Sequence, residues 1–185
     1  GKKIYAFPYK TDSLAKKFEY YNEEGKGLKT MFLKAPLDYF RISSRFSPKR
    51  FHPVQMRWKA HKGTDYAAAT GTPIKTTATG TVERTGYTAG NGNYVKVKHN
   101  GTYSTQYLHM SKILVRQGQH VQQGQVIGKV GSTGLATGPH VCYRFWKNGV
   151  QVDPLSQVLP NAEPMSEKQQ QKYLVHIAPL KRELD

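Results

Sequence analysis

Residues 138–146 carry two side chains that could bind a metal ion. The segment alternates as an extended strand does, so His140 and Cys142 are predicted to point to one face. Imidazole and thiolate are both strong ligands for zinc. The alternate positions are apolar and suit a core: Val141, Tyr143 and Phe145. Two side chains do not make a metal site, so further ligands must come from elsewhere in the chain.

Three more side chains have the types and positions that such a site requires. His61-Lys-Gly-Thr-Asp65 places an imidazole and a carboxylate four residues apart, with a glycine that allows a tight bend. An even spacing along a strand puts both on one face. His109 ends the strand-like segment 106–108. Each motif alone also fits a turn or a core position. Together they suit a catalytic zinc, which needs three protein ligands and an open position for water, with two imidazoles left as proton carrier and oxyanion stabiliser.

The central part of the chain predicts a mainly β fold. Alternating strand-like segments flank Asn100-Gly101 and Asn148-Gly149, dipeptides that favour two-residue hairpin turns. Residues 115–119 and 121–125 repeat the pattern Val-x-Gln-Gly-Gln. Short strands separated by glycine at this spacing indicate a compact antiparallel β-sheet that forms a barrel or a sandwich.

The two ends of the chain differ from this centre. Residues 18–33 contain a turn between two strand-like stretches and predict a hairpin, and a basic loop is expected over residues 47–53. Ser166-Glu-Lys-Gln169 matches a capping box, which predicts an amphipathic C-terminal helix over about 167–177, stopped near Pro179. We therefore expect three parts: a β-rich segment that ends an upstream domain (1–40), a main domain (41–159), and a tail with the helix (160–185).

The charge of the chain narrows the classes of partner. Lys and Arg total 28 against 12 Asp and Glu, a formal net charge of +16. Such a charge either serves solubility alone or indicates an anionic partner: nucleic acid, membrane headgroups or an acidic cell-wall polymer. The sequence lacks helix-turn-helix, RNP-type and zinc-finger patterns, so we rank an envelope polymer above nucleic acid. No stretch is long and apolar enough for a membrane span. The chain opens on Gly1 without a secretory signal, which fits either a mature form or a shortened version of a longer protein.

These motifs resemble those of the lysostaphin-like (LytM-type) zinc metallopeptidases. The likeness rests on the segments 61–65 and 105–109 and on the Gly-Ser-Thr-Gly and Thr-Gly-Pro-His motifs within residues 131–140. It extends in the family's order over roughly residues 40–159. Residues 21–36 are similar to Gram-negative envelope members that have an extra domain upstream. A regulatory domain upstream of this chain is therefore one of the alternatives.

The resemblance implies an endopeptidase that hydrolyses the peptide cross-links of peptidoglycan with one zinc ion per chain. Carried over by position, His61 and Asp65 are zinc ligands and Cys142 stands where the family has its third ligand, a histidine. His109 and His140 take the two catalytic positions. One of them accepts the proton of the attacking water and the other helps hold the oxyanion. Which histidine has which role stays open. The implied location is the cell envelope, either periplasmic or anchored through a missing N-terminal region.

Cys142 is the departure from the family pattern. Thiolate binds zinc well, but it adds a second negative charge to that of Asp65, which should weaken the Lewis acidity of the metal. Two hypotheses therefore stand: an active zinc enzyme, and a catalytically impaired member that binds peptidoglycan or regulates another hydrolase. A lipoyl- or biotinyl-like carrier is disfavoured, because Lys129 and Lys147 do not sit in the exposed tight hairpin that attachment requires.

The remaining candidate residues carry weaker signals. Tyr107 lies two residues from His109, so we expect it to share that face and to line the substrate cleft. Arg45 could meet substrate carboxylates, although a solvated arginine is the simpler interpretation. Specificity is expected to lie in loops around the cleft, over residues 47–59 and 86–93. The other histidines are predicted to be structural or on the surface: His52, His99, His120 and His176.

Overall fold

The structure is a computed structural model that describes residues 5–10, 18–52, 56–159 and 165–183. Its helix and strands, in chain order, are β1 (Phe7–Tyr9), β2 (Glu19–Tyr21), β3 (Arg41–Ser44), β4 (Ser47–His52), β5 (Arg57–His61), β6 (Thr64–Ala67), β7 (Pro73–Lys75), β8 (Gly80–Thr88), β9 (Gly92–Lys98), β10 (Tyr103–Ile113), β11 (His120–Val121), β12 (Val126–Val130), β13 (His140–Lys147), β14 (Val150–Val152) and α1 (Glu167–Arg182). A single turn of 3-10 helix, Pro154–Ser156, follows β14.

The chain divides into two compact units. One consists of Leu33–Gln157, and the other of Gly1–Phe32 together with Val158–Asp185. The domain limits predicted at residues 40 and 159 stay predictions. Within the described residues, no helix is both long and apolar enough to cross a membrane.

The larger unit is built on one antiparallel sheet of ten strands. Its main path runs β11-β8-β9-β10-β13-β6-β3, while β12 pairs with β10 and β7, and β14 pairs with β13. The predicted fold class, a mainly antiparallel β protein with a C-terminal helix, is confirmed. Because β10, β13 and β6 are neighbours, side chains on one face of these three strands lie close together. The opposite face of β13 is buried, as predicted, at Val141, Tyr143 and Phe145.

Asn148-Gly149 forms the predicted two-residue hairpin turn, whereas Asn100-Gly101 lies in a longer hairpin connection, residues 99–102. Asn148 and Gly149 have φ angles of 50° and 77°, the left-handed conformations that a type I′ turn requires at both central positions. This turn joins β13 to β14. The other dipeptide joins β9 to β10, and the Asn100 side chain caps that turn by accepting hydrogen bonds from the backbone N–H groups of Thr102 and Tyr103.

The basic loop predicted over residues 47–53 is wrong for the part of it that the structure describes. Ser47–His52 forms β4 and pairs with β5 in a two-stranded ribbon. Pro48 is compatible with this because, among the described strands, β4 pairs with β5 alone, and an edge strand tolerates a missing N–H on its unpaired side. The rings of Phe51 and Trp58 meet edge to face across the ribbon, with centroids 6.0 Å apart. Pro53 lies outside the described residues.

The predicted N-terminal hairpin is only partly correct. Its turn is present, since Asn22 N–H donates to the Lys26 carbonyl and Gly25 has a φ of 78°. Its second strand, residues 28–33, does not form as a continuous strand, and this part of the chain makes only isolated bridges, one of them between Tyr21 and Gly27. The first strand, β2, pairs with β1 instead. A strand-like run of apolar residues specifies no partner by itself, and here a segment upstream supplies the partner.

The C-terminal helix begins where predicted and ends later. Ser166 and Gln169 form both hydrogen bonds of the capping box. The helix then continues through Pro179 to Arg182, so the predicted stop near Pro179 is wrong. Proline costs the helix one hydrogen bond, but Leu180 packs against the same cluster as the buried Ile177, one turn earlier. This burial stabilises the last turn of the helix.

One of the four remaining histidines holds strands of the larger unit together. His99 Nδ1–H donates to the Thr79 carbonyl at 2.9 Å, and Nε2 lies 2.8 Å from Thr105 Oγ1. Burial lowers the pKa of His99 from 6.5 to about 4, although the bond to Thr79 opposes this shift. The ring is therefore neutral in the folded protein at neutral pH. His120 and His176 are exposed, and the prediction for the side chain of His52 lies outside the described residues.

We predict that His99 makes the protein less stable in mild acid. Below pH 6.5 the unfolded chain takes up a proton that the folded state resists down to about pH 4, so the free energy of unfolding falls across this window, by on the order of 1 to 2 kcal/mol at pH 5. Urea denaturation at pH 7.5 and pH 5 should show a smaller difference for His99→Gln. The matched control, His120→Gln, should keep the wild-type difference. An unchanged difference in His99→Gln would contradict the prediction.

Candidate metal centre and active site

Two of the candidate ligands face each other across neighbouring strands. Asp65 on β6 and Cys142 on β13 are direct cross-strand partners, so their side chains project side by side from one face of the sheet. His61 ends β5, and the chain then bends at Lys62 and Gly63 to enter β6. One nitrogen of His61, one oxygen of Asp65 and the sulfur of Cys142 all lie within 4.8 Å of one another.

The hydrogen bonds of His61 determine which nitrogen faces the other two groups. Nδ1–H donates to the Arg45 carbonyl at 2.9 Å, so the lone pair of the neutral ring is on Nε2. Nε2 lies 3.0 Å from Asp65 Oδ1 and 3.6 Å from Cys142 Sγ. A lone pair and a carboxylate oxygen at this distance need a proton or a cation between them.

The donor set fits zinc. Nitrogen and oxygen ligands held at usual zinc distances in a tetrahedron lie about 3.3 Å apart, and nitrogen and sulfur ligands about 3.6 Å apart. The separations of 3.0 Å and 3.6 Å measured here are close to these values. Histidine, aspartate and cysteine all occur as zinc ligands. The bond from His61 Nδ1 to a backbone carbonyl also orients the ring as outer-shell partners of metal-bound histidines do.

Gly63 allows the chain to pass close to Cys142. A Cβ atom at this position would lie 2.9 Å from Cys142 Sγ, 3.0 Å from the Tyr143 carbonyl and 3.1 Å from Arg144 Cγ. The glycine of the His-Lys-Gly-Thr-Asp motif is therefore required for space beside the sulfur. The sequence alone predicts only a tight bend at this glycine.

His109 is held in an uncommon backbone conformation at the edge of the site. Its φ is 62°, which is rare for a residue other than glycine and typical of functional sites. The Asn91 carbonyl accepts its backbone N–H, and the Thr133 carbonyl accepts Nδ1–H at 2.7 Å. Thr133 is itself fixed, since its hydroxyl donates to the Met110 carbonyl and accepts the N–H of Asn93. The Gly-Ser-Thr-Gly motif thereby orients the His109 ring.

His140 is oriented in the same way by its own motif. Its Nδ1–H donates to the Gly138 carbonyl at 2.8 Å, which leaves Nε2 facing the site, 3.9 Å from Asp65 Oδ1. The rings of His109 and His140 are neighbours, with centroids 4.7 Å apart. Two imidazoles with their Nδ1 atoms bound to backbone carbonyls thus stand beside the three candidate ligands.

The electrostatics of the site suit metal binding by Asp65 and proton transfer by His109. Burial alone would raise the pKa of Asp65, but its hydrogen bond to His61 and the nearby His140 lower it overall, so the carboxylate is ionised at neutral pH. Burial lowers the pKa of His109 from 6.5 to about 4, which keeps this ring neutral. Burial and the Asp65 charge raise the pKa of the Cys142 thiol. A metal that binds the Cys142 sulfur must therefore displace its proton.

These groups open into one cavity of about 280 Å³. The structure brings five of the six candidate site residues to its wall: His61, Asp65, His109, His140 and Cys142. The predicted loop 86–93 contributes Gly90 and Asn91, although most of that stretch belongs to β8 and β9. Sequence reasoning missed Lys62 and Arg144, which also line the cavity. The alternation along β13 could have found Arg144, two residues beyond Cys142 on the same face.

Tyr107 does not line the cavity, so the expectation for this residue is wrong. Its side chain is fully buried, and its hydroxyl accepts the backbone N–H of Thr77 at 2.9 Å in a buried group of hydroxyls. The pairing of β10 with β9 shifts register between Tyr107 and Met110, where His109 adopts its positive φ. A bulge of this kind breaks the alternation of faces, so Tyr107 and His109 point to different sides.

Comparison with known proteins shows to which family this chain belongs. The family model "Peptidase family M23" matches residues 59–154, just over half of the chain. The chain belongs to peptidase family M23. The peptidoglycan DD-endopeptidase ShyC of Vibrio cholerae is 45% identical to this M23 chain over 157 residues, which are 85% of the chain and 36% of ShyC. The chain therefore spans about a third of the length of this relative.

Two solved M23-like structures have a similar fold. A zinc-containing peptidase from Vibrio cholerae superimposes with a TM-score of 0.68 and 38% identity, over 85% of this chain and 47% of that one. The catalytic domain of lysostaphin from Staphylococcus simulans superimposes with a TM-score of 0.57 and 30% identity, over 63% of this chain and 90% of that one. The resemblance to lysostaphin-like peptidases drawn from the motifs is thereby confirmed.

We predict that Gly63→Ala weakens metal binding. The added methyl group would contact the Cys142 sulfur and the Tyr143 carbonyl at about 3 Å, so the sulfur must move away from His61 and Asp65. Zinc affinity, measured by competition with a chromogenic chelator, should fall at least about tenfold, because outer-shell changes already cost 10- to 100-fold. Gly101→Ala is the control, since a Cβ there meets nothing within 4 Å. Equal zinc affinity in both variants would show that the close approach is unimportant.

Proposed function

We propose that this M23 domain is a zinc-dependent endopeptidase that hydrolyses the peptide cross-links of bacterial peptidoglycan. The observation that carries the proposal is the single cavity in which three mutually close zinc-type donors stand beside two imidazoles with fixed orientation. One ion bound by three protein groups leaves a coordination position open, which distinguishes a catalytic zinc site from a structural one.

The proposed ligands are His61, Asp65 and Cys142, with one zinc ion per chain. When bound, zinc supplies a Lewis acid that polarises a carbonyl and makes water nucleophilic at neutral pH. The Asp65 carboxylate is ionised and His61 presents a lone pair, so both are ready to bind a cation. Cys142 completes the set as the thiolate.

The two other histidines act on the substrate and on the attacking water. His109 is neutral and its Nδ1–H is bound to the Thr133 carbonyl, so the Nε2 lone pair can accept a proton from the water. His140 Nε2 faces the same space, because Nδ1–H is bound to the Gly138 carbonyl. We propose His109 as the proton acceptor and His140 as the group that hydrogen-bonds the developing oxyanion.

Peptidoglycan is proposed as the substrate on two grounds. ShyC is named a peptidoglycan DD-endopeptidase, and the net charge of +16 favours an anionic polymer. The corresponding location is the bacterial cell envelope. A periplasmic or anchored form, and a regulatory domain upstream of this chain, belong to the same proposal, since the chain spans only part of ShyC.

We predict that the Cys142 position decides zinc content. Cys142→Ala removes one of three ligands and should lose the metal, whereas Cys142→His restores a zinc ligand and should retain it, together with activity at or above the wild-type level. Zinc content after dialysis against a mild chelator, measured by mass spectrometry, checks both variants. If Cys142→Ala retained full zinc, the sulfur would not be a ligand.

We predict that His109→Ala and His140→Ala abolish cleavage but keep zinc bound. Loss of a positioned proton-transfer group lowers the rate by roughly 10²- to 10⁴-fold, while the three ligands remain in place. His120→Ala is the control, because His120 is exposed on β11 and does not line the cavity. Loss of zinc in either variant would mean that the ligands are misassigned.

Cleavage itself is tested with isolated peptidoglycan. After incubation with the zinc-loaded protein, mass spectrometry of the solubilised fragments should show monomeric peptides with new amino termini from opened cross-links. Chelation of the zinc should stop their release. Zinc-loaded protein that binds the polymer without releasing such fragments would contradict the enzyme and favour the binding or regulatory module.

A further inference from the structure

We propose that Arg144 and Lys62 form a subsite that binds a free carboxylate of the substrate peptide beside the metal centre. This inference rests on the proposed peptidase function and narrows its substrate to peptides with a carboxylate close to the scissile bond. It concerns the two cations that line the cavity but belong to neither the ligand set nor the histidine pair.

The position of Arg144 on β13 places it on the far side of the metal centre from His140. His140, Cys142 and Arg144 occupy alternate positions of one strand and line the same cavity. Successive residues on one face of a strand are about 6.6 to 7 Å apart. An extended peptide advances about 3.3 Å per residue. A peptide that lies along β13 with its scissile bond at Cys142 therefore brings the groups about two residues from that bond to Arg144.

Arg144 is held in place without a partner for its charge. Its Cγ packs close to Gly63, and its Nε is buried with no hydrogen-bond partner among the described residues. No described carboxylate forms an ion pair with Arg144 or Lys62 within 4 Å. Among the described residues that line the cavity, Asp65 is the single carboxylate, and it belongs to the proposed ligand set.

These features favour a carboxylate as the missing partner. A guanidinium offers parallel N–H donors that match the two oxygens of a carboxylate, and the cost of ordering is low when the side chain is already fixed. Lys62, exposed at the bend between β5 and β6, adds a second charge that can adjust to the ligand.

Arg144 also lies close to the sulfur of Cys142, where its positive charge favours the thiolate. A guanidinium in this place could serve only as the counter-charge of a thiolate ligand. The two roles differ in what they affect: a counter-charge changes metal binding for every substrate alike, whereas a subsite discriminates between substrates.

The test uses two cross-linked muropeptides that differ only in whether the carboxyl groups beside the cross-link are free or amidated. The zinc-loaded wild type should cleave the free acid with a kcat/KM about 10- to 100-fold higher, the range expected of one hydrogen-bonded charge pair. Arg144→Gln should reduce this preference to near parity, and Arg144→Lys should retain part of it. The control is Lys147→Gln, an exposed cation on the same strand that does not line the cavity.

Two results would overturn the subsite: equal cleavage of both compounds by the wild type, or an unchanged preference in zinc-loaded Arg144→Gln. An unchanged preference together with a lower zinc affinity in that variant would assign Arg144 to the metal ligand alone. A binding measurement separates this inference from the proposed function. In the His109→Ala background, calorimetry should show tighter binding of the free acid, and the added Arg144→Gln change should remove the difference. Such a difference supports the subsite even if the wild type cleaves neither compound, and equal affinities overturn it.

Discussion

The site depends on the register between β6 and β13. With Asp65 opposite Cys142, a carboxylate and a sulfur project together from the sheet, and the bend before β6 brings His61 Nε2 to 3.0 Å and 3.6 Å from them. A shift of one residue would turn either side chain to the opposite face. The buried face of β13 resists that shift because Val141, Tyr143 and Phe145 would have to leave the core. Core packing therefore fixes the geometry of the metal centre.

Hydrogen bonds to backbone carbonyls orient the three histidine rings of the site. The carbonyls of Arg45, Thr133 and Gly138 each accept the Nδ1–H of one histidine, so all three rings present Nε2 to the cavity. None of these interactions uses a second ionisable side chain, so the orientations do not change with the protonation of a partner. The positive φ of His109 fits this arrangement, because strained conformations persist where surrounding contacts determine them.

Local patterns in the sequence predict some of these features and miss others for identifiable reasons. The Asn148-Gly149 turn and the apolar face of β13 follow from short-range rules, and both are present. The ribbon formed by β4 depends on pairing with a distant segment, and the last helical turn beyond Pro179 depends on packing by Leu180. The burial of Tyr107 follows from a register shift beside His109 that alternation cannot anticipate. The alternation of faces along β13 that points to Cys142 also places Arg144 on the side of the site.

We propose Cys142 as a zinc ligand, at a position where the family pattern has histidine. Its thiolate adds a negative charge to the ligand set, and Arg144 places a positive charge beside it. X-ray absorption spectroscopy at the zinc edge tests the claim most directly, using the protein purified with its own metal. If Cys142 binds the metal, the spectrum should contain one sulfur scatterer at about 2.3 Å and nitrogen or oxygen scatterers at about 2.0 to 2.2 Å. A first shell of nitrogen and oxygen alone would contradict this assignment.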